Sequence, residues 1–143
     1  MQITLAAPND EAGLKALLQN CDLPFYDLTP AHLTHFLVIK DEDQVVGSIG
    51  LEVCGAFGLL RSLAVAESKR GQGLGHQLIE QIETYARSQK ISALYLLTTT
   101  ADQYFARQGY QVAPRESAPA PLQETTEFKS ICPDSAVCMY RNL

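Results

Sequence analysis

The stretch from Arg61-Ser62-Leu63-Ala64-Val65 to Lys69-Arg70-Gly71-Gln72-Gly73-Leu74-Gly75 holds the residue types and spacing most suggestive of chemistry. An apolar strand-like run ends in a glycine-rich turn, and that turn opens a helical pattern. The first amides of a helix have no intrahelical acceptor, and their dipoles favour an anion. Glycines let that anion approach the backbone closely. Arg70 adds a fixed positive charge. The expected chemistry is phosphate binding. Gly71-Gln72-Gly73-Leu74-Gly75 lacks the spacing and the Lys-Ser/Thr of a Walker loop, and as GxGxG it does not fit the dinucleotide fingerprint. The alternative is that the glycines only cap a helix, but three of them in alternation would weaken a helix start that held no ligand.

The elements that must position this turn follow from hydrophobic period. Strand patterns are expected over residues 2–6, 36–39, 45–53 and 58–65, with a polar turn at Asp41-Glu42-Asp43 and another from Gly55 to Gly58. Pro8-Asn9-Asp10 reads as a helix start ahead of Leu14, Leu17, Leu18 and Cys21, and Pro24 ends that helix. Thr29-Pro30 predicts an N-cap and a short helix near 31–34. Leu74, Leu78, Ile82 and Tyr85 recur at helical spacing, joined by Ile79 and Ala86, and predict a helix of about four turns. A buried strand over 91–98, a helix near 101–107 stopped by Gly109, and a short strand at 110–112 follow. The proline-rich stretch 114–133 contains one helical-looking piece at 122–131, and 136–140 is a final strand. Strands first, then strand–helix–strand with a returning strand, predict a mixed α/β sheet with helices on both faces, in one domain spanning 1–143.

Bulk properties narrow the function. The net charge is −5, from 11 basic and 16 acidic side chains, with no basic run, which argues against nucleic acid and anionic membrane as partners. No apolar run approaches the roughly 20 residues of a membrane span, and Met1-Gln2-Ile3-Thr4-Leu5 does not read as a signal peptide, so the cytoplasm is the expected location. Cys21, Cys54, Cys132 and Cys138 are widely spaced without a CxxC pair, so reduced, mostly buried thiols are expected and a structural zinc site is not. His32, His35 and His76 form no ligand cluster, and no metal is expected.

Arg70-Gly71-Gln72-Gly73-Leu74-Gly75 resembles the RxxGxG pyrophosphate motif of the GNAT superfamily of N-acetyltransferases. Leu63-Ala64-Val65 is similar to that family's L-x-V strand end, Tyr104-Phe105-Ala106-Arg107-Gln108-Gly109-Tyr110 to its FYxxxGF segment, and Cys138-Met139-Tyr140-Arg141-Asn142-Leu143 to its M-x-K-x-L ending. The resemblance implies a GNAT fold with antiparallel N-terminal strands and a splayed parallel pair, and an acetyltransferase using acetyl-CoA on a small amine by direct attack. Leu60 to Val65, Tyr95 to Thr100, and Glu127-Phe128 with Ile131 to Ala136 further resemble the branch associated with arsenic resistance, which implies an amino acid or an arsenic-containing analogue as acceptor.

Carried over, the resemblance gives Arg70 to Gly75 the pyrophosphate, and gives the backbone of Leu63-Ala64-Val65 the pantetheine arm and the thioester carbonyl. Thr98 stands where asparagine often opens a motif, and Phe105 where a tyrosine acid often stands, both within the cofactor cleft. Tyr104 is then the candidate acid for the departing thiolate, or a core tyrosine. Glu52, on the strand paired with 59–65, is the candidate base, or a solvent-facing residue. Arg61 lies mid-strand among apolar residues; it binds an acceptor carboxylate together with Ser62, pairs with Glu52, or faces solvent. Two other functions remain open at this point: a CoA-binding sensor without turnover, and a thiol-based arsenical binder. Small molecules are the expected partners of a monomer or homodimer.

Overall fold

A computed structural model describes residues 2–143. Seven strands form one sheet in the order β1-β2-β3-β4-β5-β7-β6. They are β1 (Ile3–Leu5), β2 (Phe36–Asp41), β3 (Gln44–Cys54), β4 (Phe57–Val65), β5 (Ala93–Thr98), β6 (Gln111–Val112) and β7 (Val137–Asn142). The helices are α1 (Glu11–Asn20), α2 (Pro30–Leu33), α3 (Leu74–Ser88), α4 (Asp102–Arg107) and α5 (Ala120–Gln123). The sheet is mixed and mostly antiparallel, with one parallel pair, β4 and β5, at its centre.

Alternation along β2 explains the layers. Leu37 and Ile39 point to one face, where they meet Leu78, Ile79 and Ile82 of α3. Phe36 and Val38 point to the other, against Leu14, Leu17 and Leu18 of α1 and Leu33 of α2. Further along that second face, Leu59 and Cys138 meet Leu122 of α5 and Phe128. Among the described residues no helix is long and apolar enough to cross a membrane.

The helical piece expected over 122–131 is two separate turns, α5 and a π-helical turn at Glu127–Ile131. Thr125 separates them. Its Oγ1 donates to the Leu122 carbonyl at 2.7 Å and accepts from the Phe128 amide at 3.4 Å, so the side chain takes up groups that a continuous helix would use.

Two irregularities shape the sheet's centre. The parallel ladder between β4 and β5 pairs only Phe57 with Ala93, Gly58 with Leu94 and Leu59 with Tyr95. Beyond Leu59, β4 continues to Val65 with no partner on that side, so the strands part. The β3–β4 register also shifts between Ser48 and Gly50, opposite Ser62. Ser62 has φ 61°, rare for a residue with a side chain, and the Ser48 hydroxyl holds its carbonyl at 2.8 Å.

Candidate active site

The bulge at Ser62 decides which backbone groups face the gap. The Ala66 amide donates to the Val46 carbonyl, so by strand alternation Ala64 also faces β3. Leu63 and Val65 therefore turn their backbone groups away from β3, toward the space that β5 has left. The Val65 carbonyl accepts there from Arg70 Nε at 3.0 Å. A cavity of about 620 Å³ fills this space, lined by 60–65 of β4, 96–101 of β5 and the loop after it, the loop 21–26, Glu127 and 131–133. Thr98 and Phe105 line it as well. Thr98 Oγ1 accepts from the Ala101 amide at 3.0 Å and shapes the turn leaving β5.

A second cavity of about 380 Å³ surrounds the glycine turn and shares Leu63, Val65 and Arg70 with the first. Gly71 has φ 80° and Gly73, the residue before α3, φ 78°, a conformation that side chains disfavour. No side chain caps α3, and among the described residues no backbone acceptor pairs with the amides of Gly71, Gln72, Gly73, Leu74, Gly75 or His76. A row of unpaired amides at the start of a 15-residue helix is an anion site in waiting. Arg70 spends its Nε on Val65, so the backbone carries most of the cradle. Gly73→Val, in open space at positive φ, should keep the helical circular-dichroism signal while weakening acetyl-CoA by about tenfold or more. Unchanged affinity in calorimetry would remove the turn from phosphate binding.

Tyr104 lines the turn cavity and not the larger one. Its hydroxyl lies over Gly75, where an added methyl carbon would stand 2.7 Å from the oxygen. Burial raises the Tyr104 pKa, with Arg107 acting the other way.

Arg61 sits beneath the larger cavity, 4% exposed, and every nitrogen of its guanidinium is engaged. Nη1 and Nη2 grip Asp27 in a two-pronged pair at 2.6 and 2.8 Å, and Nη1 also reaches Glu52 Oε2 at 2.9 Å. Nε donates to Ser62 Oγ at 3.1 Å and lies 3.3 Å from Glu127 Oε2. An acceptor carboxylate reaching Arg61 would have to displace one of these partners. Glu52 does not line the cavity, and its other oxygen is 3.7 Å from His32 Nε2.

Sequence reasoning missed Asp27 and Glu127. A buried arginine signals counter-charge, but not where along the chain it comes from. Burial pushes the Glu127 carboxyl up to about 7; the Arg61 charge opposes this, and Glu52 and Asp27 add to it. Burial also acts to raise Asp27, but its hydrogen bonds to Arg61 and that residue's charge outweigh it and hold Asp27 below the usual range.

All four cysteines are free thiols. Cys21 and Cys132 line the larger cavity, and burial together with the Glu127 charge pushes Cys132 up to about 12. Asp27, His32 and Glu52 bring donor atoms within 4.8 Å of one another. They are committed elsewhere. The Thr29 amide donates to His32 Nδ1 at 3.0 Å, which leaves the neutral ring's proton on Nε2, facing Glu52. Both Asp27 oxygens belong to Arg61.

Residues 7–111 match the acetyltransferase (GNAT) family. The chain belongs to that family. It is 32% identical over 120 residues to an amino-acid acetyltransferase of Pseudomonas fluorescens, a match covering 82% of this chain and 26% of that protein. It thus spans about a quarter of the relative's length. The N-acetylglutamate synthase of Neisseria gonorrhoeae, solved with coenzyme A and N-acetyl-glutamate, superposes with a TM-score of 0.84 at 22% identity, over 99% of this chain and 35% of that one. A putative acyl-CoA N-acyltransferase from Klebsiella pneumoniae matches at nearly full length, 99% and 97%, with 27% identity and a TM-score of 0.73. In this GNAT chain the cavity at the glycine turn and the cavity between the parted strands adjoin, sharing Leu63, Val65 and Arg70.

Proposed function

We propose that the chain is an acetyl-CoA-dependent N-acetyltransferase acting on a small primary amine. The observation that carries this reading is the adjacency of two features, whose cavities share Leu63, Val65 and Arg70. Unpaired amides at the head of α3 meet a gap in which β4 offers the backbone of Leu63 and Val65 to an extended ligand. An extended molecule with a pyrophosphate at one end and a thioester at the other fits that pair. The amides of the turn hold the phosphates, the β4 edge aligns the arm, and a β4 amide polarises the thioester carbonyl. Ser62 and Arg61 shape the floor, with Arg61 organising the carboxylates rather than meeting the acceptor directly.

For the acceptor, similarity to amino-acid acetyltransferases supports an α-amino acid. The arsenic-containing analogue rests only on the resemblance of Leu60 to Val65, Tyr95 to Thr100, and Glu127-Phe128 with Ile131 to Ala136. Acetyl-CoA at a hundred times its dissociation constant should stabilise the fold by about 2.7 kcal/mol, which a thermal melt detects. NAD and ATP should do much less. Incubation with ordinary and arsenic-containing amino acids and simple amines, read by mass spectrometry, should show one acetyl group gained. Stabilisation by acetyl-CoA without transfer to any amine would make the chain a sensor. Equal stabilisation by all three nucleotides would defeat the reading.

A further inference from the structure

An ammonium has no lone pair with which to attack a thioester, and neither the glycine turn nor the β4 backbone removes a proton. The carboxylates around Arg61 differ in how free they are. Asp27 gives both oxygens to the guanidinium. Glu52 is tied to Arg61 and faces His32, away from the larger cavity. Glu127, 4% exposed at the head of the π-helical turn, is the one of the three that lines that cavity. Its tie to Arg61 is the longest, 3.3 Å to an Nε that already donates to Ser62, and its other partner is the Cys132 thiol. A loosely held carboxylate thus stands in the wall that β4 also forms. One guanidinium faces three carboxylates there, so the local field favours a cation.

We propose that Glu127 receives the acceptor's amino group as an ammonium and takes its proton, which makes Glu127 the general base. The inference rests on the acetyltransferase reading above. The ammonium gives one proton to the Glu127 carboxylate, and the neutral amine nitrogen attacks the carbonyl carbon. The C–N bond forms and the C–S bond breaks, with its electron pair leaving on sulfur. The nitrogen's second proton goes to the departing thiolate, and Glu127 then releases its own proton to solvent. The groups facing Glu127 are Arg61 from β4, Glu52 from β3, Asp27 from the loop before α2, and Cys132. Arg115, nearby, spends its guanidinium on the carbonyls of Phe128, Cys132 and Pro133. A carboxyl raised to about 7 suits a base working near neutral pH.

The test is kcat/KM against pH for the wild type, Glu127→Gln and Glu127→Asp, using the best acceptor among 1,4-diaminobutane, 2-phenylethylamine and glutamate. Acetyl-CoA affinity by calorimetry and the carboxyl ¹³C titration of Glu127 in the free protein run alongside. Glu127→Gln should lose about 10²–10⁴-fold at pH 7 with acetyl-CoA affinity unchanged. It should also lose the acid limb near 7 and recover as pH approaches the pKa of the amine. Glu127→Asp should retain part of the activity and the limb, and the ¹³C midpoint should lie near neutrality. Wild-type kcat/KM and an intact limb in Glu127→Gln, or a ¹³C midpoint in the ordinary glutamate range, overturn the role of Glu127 alone. A wild type that binds acetyl-CoA yet acetylates none of these amines overturns the acetyltransferase reading, and this proposal with it.

Discussion

Arg61→Met should lower the unfolding free energy by about 3–5 kcal/mol, the range expected when one member of a buried ion cluster is removed. Methionine fills much of the arginine's volume, so the loss is electrostatic rather than a cavity. Asp27, Glu52 and Glu127 would face one another with no cation among them, their side chains 8%, 16% and 5% exposed. Against a typical domain stability of about 5–15 kcal/mol, that loss is a large fraction. Asp27 would also release the segment 21–26 that walls the cavity, so the variant should lose acceptor binding along with stability. Arg61→Lys keeps the charge but cannot grip Asp27 with two parallel bonds, and should fall between wild type and methionine. Combining Arg61→Met with Glu52→Gln should cost less than the sum of the single changes, because the second removes a charge that the first left unpaired. Urea denaturation of the wild type, Arg61→Met, Arg61→Lys, Glu52→Gln and the double variant reads these differences. An unchanged midpoint in Arg61→Met would remove the cluster from the account of stability.

Much of the fold was legible because burial writes a period into the sequence. Phe36-Leu37-Val38-Ile39 is covered on both faces and reads as a continuous apolar strand, while Leu74, Leu78, Ile82 and Tyr85 repeat as one side of a helix. The glycine turn was legible because positive φ at Gly71 and Gly73 selects the residue type. The bulge was not, since Ser62 adopts positive φ without the glycine that would announce it. The charge cluster was half legible. Arg61 in an apolar strand demanded a counter-charge, and Glu52 on the neighbouring strand was within local reasoning. Asp27 comes from a loop and Glu127 from the head of the π-helical turn, whose courses across the sheet no period records, and they meet Arg61 only because α2 and that turn pack on the same face of the sheet. Tyr104 shows the opposite limit. Adjacency to Phe105 suggested a shared site, yet successive helical residues diverge, and the two side chains line different cavities.

Glu127→Gln should stabilise the fold at pH 8 and leave it nearly unchanged at pH 4.5. The folded protein holds this carboxyl at about 7, against 4.5 for an ordinary glutamate, so between those values the native state binds more proton than the unfolded one. Stability contributed by the group is therefore full below about 4.5 and declines as pH rises toward 7. A gap of that size is worth on the order of 3 kcal/mol as an upper bound, at 1.36 kcal/mol per pH unit. Glutamine has no proton to lose and keeps most of the shape, so at pH 8 it should be the more stable form by about 1–3 kcal/mol, or roughly 3–10 °C in Tm. Asp27 has the opposite sign. Held below its ordinary 3.8, it stabilises the fold above that pH and the benefit disappears as pH falls. Every other titratable group is common to both proteins, so the difference between them isolates Glu127. Thermal scans of both at pH 4.5, 6 and 8 give the check. A difference in Tm that stays flat or shrinks as pH rises would show that the cluster holds Glu127 charged at neutral pH, with Arg61 outweighing its burial.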